Sequence, residues 1–499
     1  MKMSGMLSML LCCAMLVPVC GAEVMSQDTA GIDRVTETLS LSIEEALALG
    51  REQSIASKEN DNALLKAEWR YRNYRAGLLP NITLEGTIPS LNRSLNSYQR
   101  EDGTYTFIPN NYLSETFGLT VSQAIPFTGG KVYLETNLER MDQLGADRYG
   151  NFLSVPFSLT LSQPLLAYNP YRWQKKIEPL RYETSRQEHL ARIENVNITT
   201  VKYYFDVLIS QSDLESARQN RKNAQDLYTV AQAKEKIGTI SDSDLMQLRV
   251  GLLNAEAKVL TAKNDYLEKM NILRNYLGIR EGVEIVPEVP QVKIIQGVYA
   301  DDIRDKAREN NPVYDDFRLR LTEAEANVVK AKRERLPDIN LNLSVGTTGS
   351  HPTFAGAYTN LGSRQIAQIG ISIPILDWGQ RKGDYEQAKS DYDLEKERIE
   401  REEDEFNEQV RVLAEDFIAQ QELVRIYREA DIVAQERYGI ALNRFTVGDI
   451  SVTDLNYAEQ EKDNARQNYI YQLYLSWLYY YNLRYITLFD FEAGCDIIY

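Results

Sequence analysis

Gly238-Thr239-Ile240-Ser241-Asp242-Ser243-Asp244-Leu245 and Gly448-Asp449-Ile450-Ser451-Val452-Thr453-Asp454-Leu455 are two versions of one phrase, set 210 residues apart. Upstream of each, roughly 65 residues (about 173–236 and 380–447) repeat apolar side chains at threes and fours, as in Ile399, Phe406, Val410, Leu413, Phe417, Val424 and Tyr427. Such a stretch predicts a helix of about 100 Å at 1.5 Å per residue. A compact protein of this length has a radius of gyration of only about 23 Å, so the molecule must be elongated. A further helix of about 35 residues follows each glycine turn, so each copy contributes a helical hairpin with a glycine and an aspartate at its tip.

Moving outward from the hairpins, Leu161-Ser162-Gln163-Pro164-Leu165-Leu166 answers Ile371-Ser372-Ile373-Pro374-Ile375-Leu376 at the same offset of 210, and Leu79-Pro80-Asn81-Ile82-Thr83-Leu84 answers Leu336-Pro337-Asp338-Ile339-Asn340-Leu341 at 257. The chain is therefore a tandem repeat, and the two offsets place an insertion of about 47 residues in the first copy, between Leu84 and Leu161. The expected division is a first repeat over 41–280, a linker over 281–298 with Pro287 and Pro290, a second repeat over 299–488 and a tail over 489–499.

Each repeat opens with helical spacing (41–78 and 299–336) that ends before a proline, which pushes the preceding residue out of helical geometry. Strands follow. Ile339, Leu341, Leu343 and Val345 alternate with polar residues, as do Ile369, Ile371 and Ile373; the first copy shows Ile82 and Leu84, then Phe157, Leu159 and Leu161. The insert adds two runs of the same kind, Phe117, Leu119, Val121 and Val132, Leu134, Leu138. The stretches 92–114 and 346–363, rich in Gly, Ser, Asn and Thr, read as loops.

Composition narrows the function. Of 499 residues 26% are charged and 43% apolar, which describes a folded and largely wetted chain. A net charge of −16 leaves no basic footprint for nucleic acid. The two histidines, His189 and His351, lie in unlike segments, so neither metal chemistry nor an enzyme active site nor a cofactor is expected. Lys2, the apolar run 6–19 and Gly21-Ala22 read as an export signal over 1–22; Pro18 and Val19 argue against acylation of Cys20. Removing it leaves Cys495 without a partner for a disulfide. Beyond the signal no run of about 18 apolar residues occurs, so any membrane crossing must be made by strands.

The Leu-Pro strand entries, the strand exits Gln163-Pro164-Leu165 and Ile373-Pro374-Ile375-Leu376-Asp377-Trp378-Gly379, and the glycine-aspartate tips together resemble the TolC-type outer-membrane efflux family over about 41–488. The resemblance implies a mainly α fold with membrane β structure. Tandem coiled α-hairpins would form a periplasmic tunnel, and a homotrimer would share one outer-membrane β-barrel. It also implies docking at the tips to a periplasmic adaptor and an inner-membrane pump. A channel or exit duct of an efflux or secretion system would result. The departure is the insert: the family pattern gives four strands per protomer, whereas this chain offers six or an outer loop extension. The rival from another class is a non-conducting periplasmic coiled-coil scaffold or adaptor, which accounts for the helices but not for the alternating strand runs.

The resemblance sets Asp454 at the periplasmic entrance, where family members carry acidic residues; the next such position is Tyr457 here. Asp244 is its first-copy counterpart, and either carboxylate can equally cap the helix that follows. Gly238, Thr239, Ile240, Gly448, Asp449 and Ile450 are the expected adaptor-docking tips, the glycines serving turn geometry whatever docks. Trp173 and Trp378, where strands become helices, suit a membrane-interface belt, with helix packing as the alternative. The Tyr-rich run 469–485 with Trp477 reads as inter-helix packing.

Overall fold

The structure, a computed structural model, describes residues 37–144, 148–236, 240–295, 297–447 and 449–498. The signal segment 1–22 with Cys20, and the tip residues Gly238, Thr239 and Gly448, lie outside the described residues.

The first copy runs β1 (Glu37–Leu41), α1 (Ile43–Gln53), α2 (Ile55–Ala76), β2 (Asn81–Gln99), β3 (Tyr105–Ala124), β4 (Lys131–Gln143), β5 (Tyr149–Pro164), α3 (Pro170–Lys236) and α4 (Asp242–Tyr276). The second runs β6 (Val283–Pro287), α5 (Ala300–Asn310), α6 (Pro312–Glu334), β7 (Asp338–His351), β8 (Gly362–Ser372), α7 (Gln380–Val447) and α8 (Val452–Thr487), followed by β9 (Phe489–Asp490) and β10 (Cys495–Asp496). The long helices α3 and α7 are continuous over 67 and 68 residues, α3 running through Pro179. Among the described residues no helix is long and apolar enough to cross a membrane.

Two expectations are corrected. The opening helical stretches are each two helices: Ser54, with extended backbone at ψ 146°, ends α1 and caps α2 by accepting from the Ser57 amide, and Asn311 does the same between α5 and α6, ahead of Pro312. The two breaks lie 257 residues apart, so the break belongs to the repeated unit. Second, 92–114 is not a loop. Residues 92–99 and 105–114 continue β2 and β3 as a paired ribbon, in register from Arg93↔Asn111 to Gln99↔Tyr105, and only 100–104 turn. Most of 346–351 likewise extends β7, paired with β5 as far as Phe152↔His351.

The strands β2-β3-β4-β5-β7-β8 form one antiparallel sheet in that order, with β2 and β8 at its edges. Register carries an apolar row across five of its strands: Ile82, Val121, Leu134, Leu159 and Val345 are successive cross-strand partners, and the row ends on Gln365 of β8. The next row, on the opposite face, is Thr83, Thr120, Glu135, Ser158, Gly346 and Arg364. Because side chains alternate faces every residue, one face is mainly greasy and the other mainly polar, with Thr136 and Gln365 as exceptions on the first and Tyr133 and Ile366 on the second.

The core sits at mid-length, where the helix layer is thickest. Val201, Tyr204 and Phe205 of α3 meet Phe417 of α7 and Leu473 and Trp477 of α8. The short parallel pair β1–β6, in register from Glu37↔Val283 to Leu41↔Pro287, is clipped onto this core. The Tyr204 hydroxyl is shared between the carbonyls of Leu41 (2.9 Å) and Glu288 (2.7 Å), Tyr266 donates to the Ile285 carbonyl (3.0 Å), and the Trp477 indole donates to Gln291 (3.0 Å). At the upper rim of the core, Arg484 forks onto the fully buried Glu194 through two bonds of 2.9 and 3.1 Å, and Asn197 donates to the same carboxylate. A buried charge pair of this kind holds its place only because its remaining hydrogen-bonding capacity is satisfied.

Candidate functional site: the hairpin tips and the strand-to-helix junctions

At the second tip Ser451 caps α8. Its hydroxyl accepts from the Asp454 amide (3.2 Å) and donates to Asp454 Oδ2 (2.7 Å), and that oxygen also accepts from the Ser451 amide (3.1 Å). These bonds satisfy amides that a helix start leaves open. They hold the Asp454 carboxyl below the usual range, first through the Ser451 hydroxyl and amide and then through the Arg444 guanidinium. Arg444 itself binds Asp449 Oδ2 at 2.7 Å, clamping the end of α7 to the turn. Asp454 is nonetheless exposed, so one carboxylate is both a cap and a free surface charge.

The first tip has the same cap in a different setting. Ser241 accepts from the Asp244 amide (3.2 Å) and donates to its carboxylate (2.7 Å). Asp244 is half-buried, however, because it lines a cleft of about 220 Å³ between the two tips, with Leu227, Val230, Ile240, Phe445 and Ile450 around it. Ile240 and Ile450 thus line one cleft of mixed character, which Lys234 and Ser451 also line, while Asp449 and Asp454 are not among its lining residues.

At the other end of the long helices, Trp173 is half-buried with the Lys176 ammonium 4.7 Å from its ring centroid. Trp378 is 90% exposed and sits at φ 54°, in the left-handed region, ahead of Gly379 at φ 85°. A non-glycine residue rarely adopts that geometry, and here it turns an indole fully outward. Asp377 secures the turn by accepting from the Gly379 amide at 2.9 Å.

Sequence reasoning missed two features. One is the Arg444–Asp449 clamp. The other is a pair of exposed apolar stripes: Met246, Leu253, Leu260 and Leu267 on α4, and Ile426, Val433, Ile440 and Val447 on α7. Both repeat every seven residues, the spacing of a coiled-coil seam, and that spacing was available in the sequence. On α7 the buried stripe Val410, Phe417 and Val424 repeats at the same interval two positions away, which at about 100° per residue puts the two stripes on nearly opposite sides of one helix. Among the described residues, no group of three or more His, Cys, Asp or Glu is placed to hold a metal ion.

Residues 132–279 and 303–475, more than half of the chain, match the family described as outer membrane efflux protein, and the chain belongs to that family. It is 23% identical over 339 residues to the outer membrane protein TolC of Escherichia coli, a match covering 63% of this chain and 66% of that one. Identity to the alkaline protease secretion protein AprF of Pseudomonas aeruginosa is also 23%, over 243 residues, 46% of this chain and 48% of that protein. The chain thus spans about half the length of one curated relative and just under two thirds of the other. Among solved structures, the Campylobacter jejuni outer membrane channel CmeC superposes with a TM-score of 0.64 at 15% identity, covering 91% of this chain and 86% of that one. Vibrio cholerae VceC gives 0.63 at 13% identity, over 91% and 96%. At such identities these likenesses speak for the fold. Family membership places the protein in the cell outer membrane, extending into the periplasm.

Proposed function

We propose that this chain is the exit duct of an efflux or secretion system. Three copies close into one tube, the sheets form its outer-membrane outlet, and the helices form a periplasmic tunnel. The tips receive a periplasmic adaptor coupled to an inner-membrane pump, and substrate passes through passively.

The observation that carries this reading is that every layer of the protomer is open on the same two sides. The sheet ends in β2 and β8. In the helix layer α2 and α4 pack on α3, α6 and α8 pack between α3 and α7, and α7 stands at the far side. Since α2 runs into β2 and β8 runs into α7, the open sides are continuous along the molecule. Unlike sides that fit one another make a head-to-tail interface, which closes into a ring. The seven-residue stripes of α4 and α7 lie on these opposite sides and supply the seam. Open strand edges are not tolerated in lipid, which demands closure at the sheet as well. A non-conducting scaffold leaves the apolar face of the sheet without a purpose.

At the tips, the cleft between Ile240 and Ile450 is the proposed adaptor seat, and the tip residues Gly238, Thr239, Gly448 and Asp449 are proposed to take part in the docking. Asp454 is the proposed entrance charge, and Trp173 and Trp378 the proposed interface belt.

The test is assembly. Detergent-extracted wild-type protein should sediment as a trimer and form channels in planar bilayers. The double substitution Ile426→Glu with Val433→Glu should yield monomers of unchanged helical circular dichroism. A wild-type protein that is a monodisperse monomer without detergent would rule the duct out.

A further inference from the structure

The outlet of this protein departs from the twelve strands that three four-stranded protomers would build: we infer that the hairpin β2–β3 is barrel wall, and that β2 of one copy pairs with β8 of the next to close an eighteen-stranded barrel. The inference rests on the trimeric reading above and adds to it the strand count, the closing edge and the width of the outlet.

Four observations carry it. The hairpin is fully hydrogen-bonded into the sheet, β3 pairing with β4 without interruption from Tyr112↔Gln143 to Ala124↔Lys131. Its lower half shares the greasy face: Ile82 (65% exposed) on β2 continues the row that runs through Val121, Leu134 and Leu159, Leu84 (76%) pairs with Leu119 on the same face, and Thr83 and Thr120 continue the polar row. A loop folded over the outside would have no reason to keep both rows in phase with four other strands. The chain directions also match. Six strands in strict antiparallel order leave β2 and β8 running in opposite senses, so β8 of one copy meets β2 of the next as an antiparallel pair, as an outer-membrane barrel requires. Finally, both edge strands are long enough to pair, β2 having 19 residues. β8 has 11 residues, enough for one tilted crossing of the hydrocarbon layer. On β2, Pro89, which has no amide to donate, falls at the register shift between Thr87 and Ser90, and the pairing with β3 resumes beyond it from Ser90 to Gln99. The family match begins at residue 132, within β4, so this hairpin lies outside the matched residues.

Width follows from strand number. With strands about 4.8 Å apart and tilted by about 40°, eighteen strands enclose a backbone cylinder about 36 Å across, against about 24 Å for twelve. The outlet is thereby wider than the family pattern by half, and selection of cargo is left to the helical tunnel and its tips. Above the sheet, residues 93–99 and 105–111 continue as a two-stranded ribbon that β4 does not reach, a collar on the outer rim.

The test uses the full-length protein in outer membranes, in a Cys495→Ser background. Leu84→Cys is combined in turn with Ala367→Cys, Ile369→Cys and Ile371→Cys, three lipid-face positions of β8 that allow for stagger. One of the three should give disulfide-linked dimers and trimers on a non-reducing gel. Leu134→Cys on β4, combined with the same partners, should give none. Cross-linking from Leu134 and not from Leu84 would make β4 the closing edge and overturn the inference, leaving twelve strands and the duct intact. Electron cryomicroscopy of the extracted trimer counts the strands directly: eighteen upholds the inference and twelve ends it. Absence of any trimer would instead bring down the duct itself.

Discussion

The two long helices, α3 and α7, are near-equal in length and descend from the same repeated unit, yet they live in different surroundings. α3 is flanked within its own chain by α1, α2, α4, α6 and α8, and its middle is closed by Val201, Tyr204, Phe205 and Leu208. α7 is flanked mainly by α6 and α8, and one whole apolar stripe of it is exposed. A duplicated sequence need not produce a duplicated environment: the copy in the middle of the layer completes its packing inside the protomer, and the copy at the side leaves a stripe that the proposed ring would cover with a neighbour. In the proposed ring its stability would depend on assembly, whereas that of α3 is a property of the single chain.

The sharpest way to break this comparison is through the charges each helix carries. Arg484→Met strands the buried carboxylate of Glu194 on α3 and should cost about 3–5 kcal/mol in denaturant unfolding, with Glu194→Gln milder because it keeps hydrogen bonding. Arg411→Met removes the exposed pairs with Glu408 and Glu415 on α7 and should leave the midpoint unmoved. Equal losses would mean that the two helices are buried alike.

A smaller effect is expected in the strands, where β5 has partners on both sides and β8 on one. Ile371→Arg places a charge on the lipid face of β8 and should impair barrel assembly by about 2–4 kcal/mol, measured by refolding into bilayers, while Ser372→Arg on the lumen face should chiefly change conductance. If both impaired assembly equally, the faces would be assigned wrongly.

At the tips the contrast is between an exposed carboxylate and a half-buried one. Asp454→Ala should weaken cation block and cation preference in bilayer recordings if, as proposed, three such charges ring the entrance. Asp244→Ala, inside the cleft, should act on hairpin stability and leave selectivity alone. Identical selectivity in wild type and Asp454→Ala would make that residue a cap and nothing more.

The smallest expected effect is a pH dependence on α8, which packs against both long helices. Burial raises the Glu459 carboxyl above its ordinary 4.5, with Lys462 opposing. The native chain therefore holds this proton more tightly than the unfolded one, so the charged form costs stability at neutral pH and the cost fades as pH falls through the raised value. Glu459→Gln should stabilise the protein slightly at pH 7 and make no difference below about pH 4. A gain that persists in acid would implicate packing rather than charge.

Much of this architecture was legible from the residues. The offsets of 210 and 257 revealed the repeat, and apolar spacing located the long helices and the six strand runs, because periodicity records which side of an element is buried. The breaks at Ser54 and Asn311 were not legible as such, since both halves keep helical spacing and only a cap separates them. The ribbon at 93–111 was misread because beyond the greasy band both faces are wet, alternation disappears, and Asn and Ser then look like loop residues. The pairing of β1 with β6 joins two five-residue runs whose partners lie 246 positions apart, Glu37↔Val283 to Leu41↔Pro287, and nothing local announces it. At the tips, Ser451 and Asp454 could be read as a helix start, but the cleft that separates Asp244 from Asp454 arises only when two hairpins lie side by side.

The unlike sides of the protomer also have a genetic consequence. In the proposed ring of three, each chain offers one side and receives the other, so a subunit spoiled on its α7–β8 side would still dock through α2, α4 and β2 and poison the ring that it enters. Co-expressed one to one with wild type, such a subunit would leave only about one ring in eight fully sound. A recessive-looking surface substitution would then behave as a dominant one.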